Sequence, residues 1–162
     1  MGLAIYTLIH VLISLAGIAT GFVVVGGWLG GKHLPRWTAW FLATTVATNV
    51  TGFFFPFLGF TPAYAVAILS LLLLAAAIYA LFARRLAGPW RKTYVVCAAA
   101  SLYLNFFVLI AQLFLRLPAL KQLAPKGTEP AFGLTQGIVL VLFIALGVAS
   151  VRRFPVEVAS TR

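Results

Sequence analysis

Six polar side chains, His10, Asn49, Thr51, Asn105, Gln112 and Gln136, interrupt otherwise apolar runs of this 162-residue chain. A histidine in such a run can hold haem iron as an axial ligand, and an imidazole, carboxamide or hydroxyl can hydrogen-bond the polar end of a quinone or another head group. An ionisable group within an apolar span is costly, which makes His10 a functional candidate by default. His10, Ser14, Gly17 and Gly21 recur at i, i+4, i+7 and i+11, so they share one helix face. Gly17 and Gly21 form a small-xxx-small pair that lets another helix approach. The His10 face is therefore expected to point at neighbouring helices and not at lipid.

Several chemistries fail for want of partners. A bis-His haem needs a second axial ligand, but His33 lies in a charged loop and Met1 is the only methionine. A five-coordinate haem, a magnesium tetrapyrrole or a quinone fits the residues better. No carboxylate accompanies His10, and Cys97 belongs at the opposite end of its span, so no metal-ion site is expected. Ser14 lies one turn from His10, but a nucleophile and base would lack their orienting carboxylate. No catalytic residue is assigned, and the chain reads as non-catalytic. Gly26, Gly27, Gly30 and Gly31 follow no strand and mark the end of a helix, not a phosphate cradle.

The elements that carry these residues follow from composition. Hydrophobic residues make up 63% of the chain and charged residues 9%, against about 25% charged in ordinary soluble domains. Fourteen Phe, five Tyr and four Trp exclude a disordered polar chain. A spanning helix needs roughly 20 apolar residues, and five stretches supply them: 3–29, 37–57, 63–82, 93–115 and 132–151. Gly and Pro punctuate every break. The expected fold is an all-α five-transmembrane-helix bundle, one membrane-embedded domain over 1–162 with no water-exposed domain. The first stretch does not read as a cleavable signal, since no Lys or Arg precedes it and no small-residue cleavage motif follows. Residues 117–131 read as a proline-stiffened connection.

Charge gives direction. Twelve Lys and Arg against two acids leave a net +10. The basic residues fall in short clusters between apolar runs, unlike the continuous basic face of a nucleic-acid binder. Lys32, Arg36, Arg84, Arg85, Arg91, Lys92, Arg152, Arg153 and Arg162 belong to one side, and Arg116, Lys121 and Lys126 to the other. The positive-inside rule then places the amino terminus outside and the carboxyl terminus in the cytoplasm. Trp37, Trp40 and Trp90 fall at the cytoplasmic interface. Neither acid lies in a span, which argues against proton coupling through a buried carboxylate.

Counting along the helices puts all six polar residues in the outer half, together with Phe53, Phe54, Phe55, Phe57, Phe106, Phe107, Phe114 and Phe132. One explanation is structural, with amides and hydroxyls bonding across helices. The other is an outward-opening pocket around His10, apolar with a few convergent polar groups. The expected function is a small polytopic subunit or binding protein of a bacterial inner membrane, associating with itself or with other membrane subunits. A small-solute or lipid transporter or channel, with Thr44, Thr48, Asn49 and Thr51 lining part of its path, and a cofactor-dependent membrane redox enzyme are the alternatives.

Overall fold

The computed structural model describes residues 2–56 and 61–154. Met1, Phe57 and Arg162, which enter the sequence reading, lie outside them. Every regular element among the described residues is helical. Chain order gives α1 (Gly2–Leu29), α2 (Pro35–Gly52), α3 (Pro62–Ile78) with a π-helical turn (Tyr79–Ala83), α4 (Trp90–Arg116), a short α5 (Pro118–Leu123) and α6 (Pro130–Arg153).

Local chemistry explains the boundaries. Proline opens α2, α3, α5 and α6, where its missing N–H costs nothing and its fixed φ suits the first turn. α1 ends in a glycine stop. Gly31 takes φ +66°, its N–H bonds Trp28 O at 3.0 Å, and the Lys32 N–H bonds Gly27 O at 2.8 Å. This pairing satisfies carbonyls that the last turn leaves open. α3 loosens at its end, where the Arg84 N–H reaches back five residues to Tyr79 O at 3.1 Å. Arg85 and Leu86 then turn the chain with φ of 48° and 58°.

Among the described residues, four helices are long and apolar enough to cross a membrane: α1, α3 with its π turn, α4 and α6. They mark the chain as an integral membrane protein. α2 has 18 residues, about 27 Å of helix, but Arg36, Asn49 and its threonines keep it out of that class. The threonines hide part of their polarity: Thr44, Thr48 and Thr51 each donate their hydroxyl hydrogen to a carbonyl four residues back, at 2.7, 2.9 and 2.7 Å.

Neighbours run antiparallel along the chain. His10 meets Thr51 and Ser14 meets Asn105, Asn49 meets Ser70, Tyr79 meets Trp90, and Gln136 meets Phe107. One end of the bundle thus collects the ends of α1, α3 and α6 and the starts of α2 and α4, with Lys32, Arg36, Arg84, Arg85, Arg91, Lys92, Arg152 and Arg153. α4 is the most enclosed of the four apolar helices. Its Tyr94, Val95, Ala98 and Leu102 are sealed against Trp28 and Val24 of α1, Phe41 of α2 and Leu74 and Ala77 of α3. Lipid tails are as apolar as these side chains, so association rests on close fit and polar bonds. Gly21 shows the fit: a Cβ there would meet Leu102 Cδ1 at 2.5 Å and the Phe41 ring at 3.0 Å.

Candidate functional site

The α1 stripe predicted from spacing extends one turn further, to Tyr6. Tyr6 and His10 together clasp the end of α2. The Tyr6 hydroxyl donates to Thr51 O, a carbonyl of the last turn, where the helix supplies fewer N–H partners. His10 Nδ1 lies 2.8 Å from Thr51 Oγ1. Phe55 closes over both rings edge-on, with centroids 4.9 Å from Tyr6 and 5.1 Å from His10.

One turn deeper, Ser14 Oγ donates to Asn105 Oδ1 of α4 at 2.8 Å. Gly17 then lets three helices meet, because a Cβ there would lie 3.1 Å from Thr45 Oγ1 and 3.3 Å from both Asn105 Nδ2 and Thr44 Oγ1. Asn49, on the neighbouring face of α2, donates to Thr45 O at 2.7 Å and to Ser70 Oγ of α3 at 3.1 Å. The stripes therefore bind four helices into one polar layer.

A cleft of about 130 Å³ opens above that layer. α1 contributes His10 and Ser14; α2 contributes Thr48, Asn49 and Gly52, with Phe53 just beyond its end. α3 contributes Ala63, Tyr64, Val66 and Ala67, and α4 contributes Leu104, Asn105 and Val108. Phe53 and Tyr64 pack on each other at 5.5 Å. Among the described residues, no charged side chain lines this cleft. Beneath it, towards the basic end, Phe41, Leu102, Trp28 and Tyr94 fill the bundle. A larger cavity of about 270 Å³ lies between α4 and α6, walled by aliphatic residues with Phe143 and Tyr103. It lacks a comparable convergence of polar groups.

Of the six residues singled out from sequence, His10, Asn49 and Asn105 line the cleft, and Thr51 supports His10 from behind. Gln112 and Gln136 lie elsewhere. Gln112 is exposed and accepts from Arg116 Nε at 3.0 Å on its own helix. Gln136 is buried on the α6 side of α4, where its Nε2 donates to Phe107 O at 3.1 Å. Depth along a helix placed these two; their angle around it sends them away. Sequence reasoning missed Tyr6, Tyr64 and Ser70. Tyr6 continues the His10 stripe one turn earlier, and Ser70 is the one hydroxyl in an aliphatic run, so both carried a readable signal.

No group of three His, Cys, Asp or Glu able to hold a metal ion occurs among the described residues. No protein family, curated protein or solved structure matches the chain.

Proposed function

We propose that this chain is a non-catalytic binding subunit of a bacterial inner membrane, spanning it five times with the amino terminus outside. Its cleft holds the head group of an apolar ligand carried in the bilayer. The observation that carries this reading is the convergence of His10, Ser14, Asn49 and Asn105, from three helices, on one uncharged cleft. A bundle needs polar cross-links, but cross-links alone need no space between them.

Size narrows the ligand. Pockets for drug-sized molecules run to about 300–1,000 Å³, and a cavity near 150 Å³ accepts benzene. The present cleft, at about 130 Å³, suits a single ring such as a quinone or quinol head group. A haem or other tetrapyrrole would need α3 to move aside, although His10 could still serve as its one axial ligand. The filled half beneath the cleft favours holding a ligand over conducting one. The fifth span, α2, is supported by its antiparallel seat between α1 and α3 and by its self-bonded threonines. Oligomers or partner subunits would cover the exposed apolar faces of α1 and α6.

Protein purified in mild detergent tests the reading through its absorption spectrum and mass spectrometry of its organic extract. Wild type should retain a stoichiometric ring-bearing ligand, and His10→Ala should lose most of it. A wild type that retains nothing, with His10→Ala unchanged in stability and partner binding, would remove the pocket from consideration.

A further inference from the structure

The hydrogen bonds already made around the cleft decide what remains to be offered. A hydroxyl has one hydrogen to give, and a carbonyl oxygen has none. Thr51 Oγ1 lies 2.7 Å from Ala47 O and 3.1 Å from Thr48 O, so its hydrogen serves its own helix. It must then accept from His10 at 2.8 Å. The network thereby assigns the imidazole proton to Nδ1 and leaves a lone pair on Nε2. Thr48 likewise spends its hydrogen on Thr44 O at 2.9 Å, and Ser14 spends its own on Asn105 Oδ1 at 2.8 Å.

Asn49 turns its amide hydrogens to Thr45 O at 2.7 Å and Ser70 Oγ at 3.1 Å. The reversed amide would press its oxygen against the Thr45 carbonyl, so this orientation is fixed and Oδ1 is the atom left over. The walls supplied by α1, α2 and α4 therefore offer mostly acceptors. Asn105 Nδ2, with only a long 3.5 Å contact to Ser14 O, is the exception.

We infer that the cleft selects a neutral ring bearing a hydroxyl, a phenol or quinol, over the same ring bearing only carbonyl or ether oxygens. The inference rests on the proposed role of the cleft as a ligand site. A hydroxyl gives its hydrogen to His10 Nε2 or Asn49 Oδ1 and accepts from Asn105 Nδ2. A quinone or ether could use only the last of these contacts and would leave the acceptors unpaired, the situation in which binding sites discriminate most strongly.

Wild-type protein in nanodiscs, titrated with 4-propylphenol and with its methyl ether, supplies the test. The phenol should bind at least about tenfold more tightly. Equal binding overturns the donor preference and leaves the cleft a ligand site; binding of neither probe overturns the ligand-site reading as well. Selective ¹⁵N-histidine NMR, with His10 assigned against His33→Gln, should show a protonated Nδ1 and a bare Nε2; the opposite tautomer overturns the inference. Thr51→Val should erode both the tautomer and the preference for the phenol, while Thr51→Ser keeps them. Mass spectrometry of the native extract then separates a tailed quinol of the bilayer from a free phenol, and a native ligand without a donor hydrogen overturns the assignment.

Discussion

Thr51 serves three neighbours at once: its carbonyl accepts from Tyr6, its hydroxyl accepts from His10, and its hydrogen returns to Ala47. Thr51→Val keeps the shape and the carbonyl but strands the His10 Nδ1 hydrogen. It should cost about 1–3 kcal/mol in detergent unfolding, whereas Thr51→Ser should stay near wild type. Glu129 gives a contrasting case outside the spans. Its carboxylate accepts from the Lys126 N–H at 2.9 Å and the Thr128 N–H at 3.0 Å. These backbone bonds, that of Lys126 foremost, hold its pKa below the usual carboxylate range. A depressed folded pKa means the turn is supported above the ordinary carboxylate pKa and loses that support as pH falls through the lower, folded value. The protection of the Lys126 amide relative to its intrinsic exchange rate should therefore fall in acid, and Glu129→Gln should abolish that pH step. The residue scale was legible where spacing was short: the His10–Ser14–Gly17–Gly21 stripe could be read because one helix fixes its own angles. Gln112 and Gln136 could not be placed, because their company depends on how α4 and α6 turn towards each other.

Helix contacts set the next scale. Gly26 has open space around its Cβ position, while Gly21 faces Leu102 and Phe41. Gly21→Ala should cost about 1–3 kcal/mol by overpacking, and Gly26→Ala should be close to neutral; thermal unfolding of the purified pair checks the contrast. At the basic end, Arg91 Nη1 donates to Val151 O at 3.1 Å and Phe154 O at 2.6 Å. It thus ties the start of α4 to the open carbonyls of α6, where a cation also complements the helix dipole. Arg153 reaches Leu29 O at the end of α1 in the same manner, at 3.4 Å. Arg91→Ala should lower stability by about 1.5–3 kcal/mol and loosen the tail of α6 to proteolysis. Orientation statistics accounted for these arginines from the sequence but said nothing of their bonds. Element ends were readable where proline starts a helix, and less so at residues 53–56. There the chain leaves the helix after Gly52, ahead of Pro56, which disfavours helix at the residue before it. The short α5 was hidden inside a proline-rich connection.

For the whole molecule, four of the five apolar stretches read from the sequence return among the described residues as helices long and apolar enough to cross a membrane, because a span of roughly 20 apolar residues leaves few alternatives. The packing order, with α4 innermost, was not, since every helix here is apolar on several sides. The asymmetric charge predicts the compartments. In a Cys97→Ser background, a cysteine at Lys121 should react with an impermeant maleimide on intact cells, and one at Lys32 only after permeabilisation. The reverse pattern would invert the proposed topology.

The contact of α1 with α2 also has a consequence for biosynthesis. α2 is the helix whose threonines and Asn49 make it a poor candidate to enter lipid unaided, and its polar face finds shelter against Gly17 and His10. In the proposed five-span topology α1 would wait in the bilayer for α2, and the two would commit as a hairpin. Bulk placed at Gly17 or Gly21 would then do more than weaken a contact. It would leave α2 stranded at the membrane surface and present every later helix to the insertion machinery in the wrong direction. A packing defect at two glycines would become an error of topology.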